Sequence, residues 1–147
     1  MIEFLISITT ACISTLGFSL IFRVDKKYLL WGVLGGGLSW AAYLGVEMLI
    51  PNIFVSAIAS AIVATVYSEF LAHMLHTPTT MFLLPSLIPM VPGGSLYYTM
   101  SNLIMKDYTA AAEKGIATME VMLGVSGGVV AASLIFYGII YIKRKRF

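Results

Sequence analysis

Charge is scarce in this sequence. Only 16 of its 147 residues are Lys, Arg, Asp or Glu, which is 11%. A soluble domain carries about 25%. Apolar and aromatic residues make up 59%, and the mean hydropathy is +0.93. So few charges cannot cover a water-facing surface of this size. That excludes a soluble globular protein, a disordered chain and a nucleic-acid binder, and points to an integral membrane protein. Cysteine is nearly absent as well. Cys12 stands alone, which rules out an internal disulfide and a Cys-rich metal site. No Walker loop, dinucleotide fingerprint or H-E-x-x-H occurs. The N-terminal Met-Ile-Glu-Phe is acidic rather than basic and does not read as a secretory signal.

What is present is a series of long apolar runs. They lie at about 2–22, 28–50, 53–75, 80–105 and 115–142. One crossing takes about 20 residues, so the expected fold is an all-α integral membrane protein, a single transmembrane domain over 1–147 with about five helices. This leaves no room for a nucleotide-binding domain, so the chain by itself is not expected to be an ATP-driven pump. Basic residues cluster at Arg23, Lys26 and Lys27 and again from Lys143 to Arg146. Lys and Arg mark cytoplasmic span ends. Four spans separate the two clusters, which puts both on one side, with the N-terminus outside and the C-terminus inside. Lys106 and Lys114 fall on the outer side, accompanied by Asp107 and Glu113.

Small residues recur at helical spacing. Gly32 with Gly36, and Gly124 with Gly128, form G-x-x-x-G pairs, and Ser56, Ser60, Ala64 and Ser68 form a stripe. Such residues let backbones approach where no hydrophobic effect drives association. Packing within one bundle is the plainer reading, and a homo-oligomer or partner contact the sharper one.

The run 84–95, Leu-Pro-Ser-Leu-Ile-Pro-Met-Val-Pro-Gly-Gly-Ser, carries the strongest functional signal. Each proline removes a donor and clashes with the preceding turn, so Pro85, Pro89 and Pro92 with Gly93 and Gly94 should break the fourth helix. Exposed backbone cannot face lipid. Transporters place such breaks at substrate sites, where a half-helix N-terminus offers N–H groups to an anion. Pro85, Pro89, Pro92, Gly93, Gly94 and Ser95 are therefore candidates for a substrate path. A bend needed only for packing is the alternative. No span interior contains Arg or Lys, so the new helix start near Gly93–Ser95, or a basic group of another subunit, would have to meet a substrate carboxylate.

Ionisable groups inside spans are functional candidates by default. Glu47 lies near a span end and reads as snorkelling to water. Glu69 lies deeper, with His73 one turn on and His76 continuing that face. Glu69 and His73 could relay a proton, or could simply anchor a span end. Two His and one Glu do not complete a zinc shell, so neither metal nor cofactor is expected. Gly124-Val-Ser126-Gly-Gly128 matches the hydrolase elbow G-x-S-x-G but lies in an apolar run without the strand–turn–helix setting. No enzyme is read from it.

Taken together, several elements resemble the threonine/serine exporter (ThrE-like) family, in its small-subunit or C-terminal-half form. They are Gly17–Phe22 closing the first run, Leu30-Trp31-Gly32 and Gly35–Gly37 in the second, and Thr77-Pro78, Ile88-Pro-Met-Val-Pro-Gly93 and Tyr97 in the fourth. The resemblance covers nearly the whole chain, and the Ile-Pro-Met-x-Pro-Gly element is its specific part. It implies a secondary exporter in the bacterial inner membrane, working with a larger membrane subunit that forms the other half of an inverted pair. It implies small amino acids such as threonine and serine as substrates, with a dicarboxylate such as succinate as the alternative. A non-transporting accessory subunit is the rival from a different class.

Overall fold

A computed structural model describes the backbone of residues 2–145 and the side chains of residues 2–138. The side chains of the Lys143–Arg146 cluster lie outside the described residues. The chain is helical, with no strand among the described residues. It forms α1 (Ile2–Ile21), α2 (Leu29–Leu49), α3 (Ile53–Leu75), α4 (Thr80–Leu87), a three-ten turn (Ile88–Met90), α5 (Gly93–Ile104) and α6 (Tyr108–Lys145). Four helices, α1, α2, α3 and α6, are long and apolar enough to cross a membrane. Their exposed faces carry large apolar side chains such as Leu5, Ile13, Leu34, Phe70 and Leu134, as lipid-facing surfaces require.

Local chemistry sets the helix ends. The Asn52 side chain accepts the Val55 N–H at 3.1 Å and starts α3. His76 closes α3 in the left-handed region at φ 51°, and its N–H and that of Thr77 both reach the Ala72 carbonyl. The Asp107 carboxylate accepts the Ala110 N–H at 3.0 Å, and Ala110, Ala111 and Ala112 favour helix. As a result α6 begins at Tyr108, earlier than the start near Gly115 expected from hydropathy, and the polar stretch after Lys106 is mostly helix. The segment 80–105 is likewise not one helix. It divides into α4 of eight residues and α5 of twelve, neither long enough to cross a bilayer alone.

α2 holds the centre. Its consecutive glycines point about 100° apart, so each meets a different neighbour. A Cβ on Gly35 would strike Ser86 of α4 and lie 2.8 Å from the Tyr67 ring of α3. One on Gly36 would strike Thr15 of α1, and one on Gly37 would lie 2.8 Å from the Cys12 sulfur. The core is accordingly made of small residues. Ala57, Ser60, Ala61, Ala64, Thr65 and Ser68 of α3 are all buried, and Phe82 is the largest fully enclosed side chain among the described residues, edge-on to Tyr28 at 5.6 Å.

α6 runs parallel to α3 and packs on it through Gly124 and Gly128. Its 38 residues make it about 57 Å long, beyond the ~30 Å of a hydrocarbon core. The first turns of α6 pair with α5, where Gly115 faces Thr99. α5 buries no residue of its own.

Candidate functional site

The interruption between α4 and α5 lies against the middle of α2. In a three-ten turn beginning at Ile88, residue 89 would donate to the Ser86 carbonyl. Residue 89 is proline and has no N–H. The Ser39 hydroxyl fills the gap, donating to that carbonyl at 2.6 Å and approaching the Gly36 carbonyl at 2.9 Å. The Ser60 hydroxyl in turn donates to the Ser39 carbonyl at 2.6 Å and lies 3.0 Å from the Met90 sulfur. Ser39, Ser60 and Ser86 are fully buried. A seam of hydroxyls thus ties α2, α3 and the break together. Ser39→Ala should cost roughly 1–3 kcal/mol, because a buried carbonyl loses its donor; a thermal melt of the protein in detergent measures it, and an unchanged midpoint would show that the seam contributes nothing.

Beyond the turn the chain extends through Val91 and restarts at Gly93. The Gly93 N–H is taken by the Val91 carbonyl at 2.7 Å and the Leu96 N–H by the Pro92 carbonyl at 2.9 Å. Between them, the Gly94 and Ser95 N–H groups have no backbone acceptor, as expected of a first helical turn. A Cβ on Gly93 or Gly94 would meet nothing within 4 Å, so the start of α5 is open.

Three cavities adjoin the break. One of about 280 Å³ is lined by Ser7, Thr10, Ala11 and Ser14 of α1 with Trp40 and Pro89. A second, about 190 Å³, lies between Trp40, Tyr43, Pro89, Pro92, Ser95 and Val121. A third, about 530 Å³ and apolar, separates Leu87–Pro92 from Val121–Val130 of α6. Trp40 and Tyr43 stack with ring centroids 5.1 Å apart, and Trp40 Nε1–H donates to Ser7 Oγ at 2.7 Å.

The expected path residues therefore do not all meet. Pro89, Pro92 and Ser95 line the second cavity, and Gly93 and Gly94 open the helix start beside it. Pro85 lies within α4, where a Cβ added to Gly32 would lie 3.5 Å from it, and borders a separate cavity of about 200 Å³ under the Phe22–Val24 turn. Of the four packing glycines, Gly36 faces Thr15, a Cβ on Gly32 would lie 3.5 Å from Ser19 and Pro85, and Gly124 and Gly128 face α3.

Glu69 and His73 part company. Glu69 is 6% exposed and its carboxylate accepts the Thr79 hydroxyl at 3.1 Å, while His73 is exposed. No ion pair joins them among the described residues. Thr79 precedes α4, so Glu69 is tied to the α3–α4 elbow. Glu47 is half-buried on the face of α2 that carries Tyr43 and Trp40. Ser126 is exposed on α6, and no metal-binding group of His, Cys, Asp and Glu occurs among the described residues. Sequence reasoning missed Ser39, Trp40, Tyr43, Thr79 and Glu120. The last, half-buried beside the cavity residue Val121, was findable as an acid within an apolar run.

The described residues, helical throughout their regular elements, with apolar outer faces and a hydroxyl-bonded core, define a multi-pass membrane protein. The model of the family described as threonine/serine exporter, ThrE, matches residues 7–135. The chain belongs to that family. No curated protein and no solved structure matches it.

Proposed function

We propose that this chain is one membrane subunit of a secondary exporter of small amino acids such as threonine and serine, acting with a larger membrane partner. The observation that carries the reading is the break between α4 and α5, whose cavity combines the open start of α5 with the aromatic wall of Trp40 and Tyr43 on α2. The free Gly94 and Ser95 N–H groups suit a carboxylate. Trp40, Tyr43 and, a turn further, Glu47 suit an ammonium. This pairing favours an α-amino acid over a dicarboxylate, which has no ammonium to set against the Trp40 and Tyr43 rings. In this reading α4 and α5 together make the fourth of five crossings and α6 the fifth. The Arg23–Lys27 turn then lies in the cytoplasm and the N-terminus outside, in the bacterial inner membrane, and the two subunits form an inverted pair. Efflux of labelled threonine, serine and succinate from cells carrying this chain with and without the partner tests the reading. Threonine or serine efflux that needs both subunits supports it, and efflux of succinate alone refutes the amino-acid assignment.

Proton coupling falls to Glu69, the buried acid at the elbow, with His73 on its exposed side. Glu69→Gln keeps an acceptor for the Thr79 hydroxyl, so the variant should fold. Its net export driven by an imposed proton gradient should fall about tenfold or more, while exchange of labelled for unlabelled substrate continues. Gradient-driven export at the parental rate would remove Glu69 from the coupling step.

A further inference from the structure

The two smaller cavities at the break share two walls, Trp40 and Pro89. Pro89 is fixed by its ring and by the three-ten turn. Trp40 is a side chain with two rotatable bonds, half-buried, held by one hydrogen bond to Ser7 and by its stack on Tyr43. On one side stand the hydroxyls of Ser7, Thr10 and Ser14, on the other Ser95 and the start of α5. We propose that Trp40 is the gate of the substrate path, and that release of its indole from Ser7 joins the two cavities into one passage along the break. The inference rests on the exporter reading given above.

The geometry makes this division of labour specific. A polar substrate passing from the Ser95 cavity toward α1 meets Trp40, which lines both cavities, and beyond it finds hydroxyls that can replace water. The latch is a single neutral hydrogen bond, so its loss shifts the open population without dismantling the bundle. Trp40 is on this account a positioning and gating residue, and no chemical step is assigned to it.

Cysteine accessibility tests the gate in membranes that hold the full chain and its partner. In a Cys12→Ser background, Ser95→Cys and Ser14→Cys report on the two cavities through their rates of reaction with a charged, membrane-impermeant thiosulfonate. With Trp40 in place, one of the two cysteines should react at least tenfold more slowly than the other, and excess threonine should protect Ser95→Cys. Trp40→Ala should bring the slow cysteine to the rate of the fast one. Ser7→Ala and Trp40→Phe, which remove one partner of the latch and keep a ring in place, should each raise it about fivefold, the shift that one neutral hydrogen bond supports. These two milder variants keep the test decisive if Trp40→Ala fails to insert. Equal rates in the parent, or a slow rate unchanged by all three substitutions, would overturn the gate. Absence of threonine protection in the parent would instead overturn the exporter reading on which it stands.

Discussion

Gly128→Leu should leave the chain inserted in the membrane but unable to pack α6 on α3, and export should fall to background. A Cβ at this position would lie 2.6 Å from the Ile58 carbonyl oxygen and 2.8 Å from the Ala61 Cβ. One turn earlier, a Cβ on Gly124 would lie 2.9 Å from the Phe54 carbonyl and 2.8 Å from Ala57. These obstacles are backbone atoms and the first atom of a side chain, so no rotamer change relieves them, and the helices must separate. Overpacking a core costs about 1–3 kcal/mol where side chains can yield; here they cannot, and the loss should exceed about 3 kcal/mol. In the bilayer no hydrophobic effect between the helices offsets it, because contact between small residues is itself the attraction. The adjacent residue supplies the control. Gly127 is exposed and a Cβ there meets nothing within 4 Å, so Gly127→Leu should behave as the parent. Melting in detergent and the fraction of monodisperse protein read both variants. Equal stability of the two would refute close packing at Gly128.

That contrast also shows where the fold was legible. Apolar runs and sparse charge announce a helical membrane protein because only helices and closed barrels satisfy their backbone in lipid. The spacing of Gly124 and Gly128 marks one face of a helix, and that face is the one α3 meets. Spacing alone could not show that Gly35, Gly36 and Gly37 serve three different neighbours, since this depends on α2 lying at the centre. The start of α6 was hidden for a different reason. Hydropathy reads Lys106–Lys114 as a loop, whereas the Asp107 cap and the alanines after it make helix regardless of polarity.

The site was legible in part, along the same line. Proline chemistry is local, so the break near Pro89 and Pro92 could be placed from sequence. What compensates for it is not local. Ser39 is 47 positions from Ser86, and nothing in either neighbourhood pairs them. Glu69 and His73 mislead in the opposite way, for helical spacing puts them one turn apart, but the elbow at His76 brings Thr79 back onto the carboxylate and leaves the imidazole outside. Trp40 resembles any aromatic in an apolar run until the Ser7 hydroxyl and the two cavities on either side of it are seen.

Replacing Pro89, Pro92 and Gly93 together with alanine should preserve insertion and lower export about a hundredfold. Each interior proline disfavours helix by about 3 kcal/mol, so two replacements shift the balance toward one continuous helix over 80–104 by about 6 kcal/mol. In a continuous α-helix the Met90 N–H would reach the Ser86 carbonyl and compete with the Ser39 hydroxyl for it, while alanine at 89 returns an N–H for the Pro85 carbonyl. A straight helix would also carry α5 off α6, to which Thr99 now holds it opposite Gly115, and would close the cavity between Pro92, Ser95 and Tyr43. The free N–H groups of Gly94 and Ser95 would become interior helical donors with acceptors four residues back, so the proposed carboxylate site would cease to exist. Stability should rise or hold while transport is lost, which separates this variant from Gly128→Leu, where the two fall together. Helical content by circular dichroism, melting temperature and threonine efflux measured on one preparation distinguish these outcomes. Parental efflux from a triple variant with increased helicity would show that the interruption serves packing alone and that substrate crosses elsewhere.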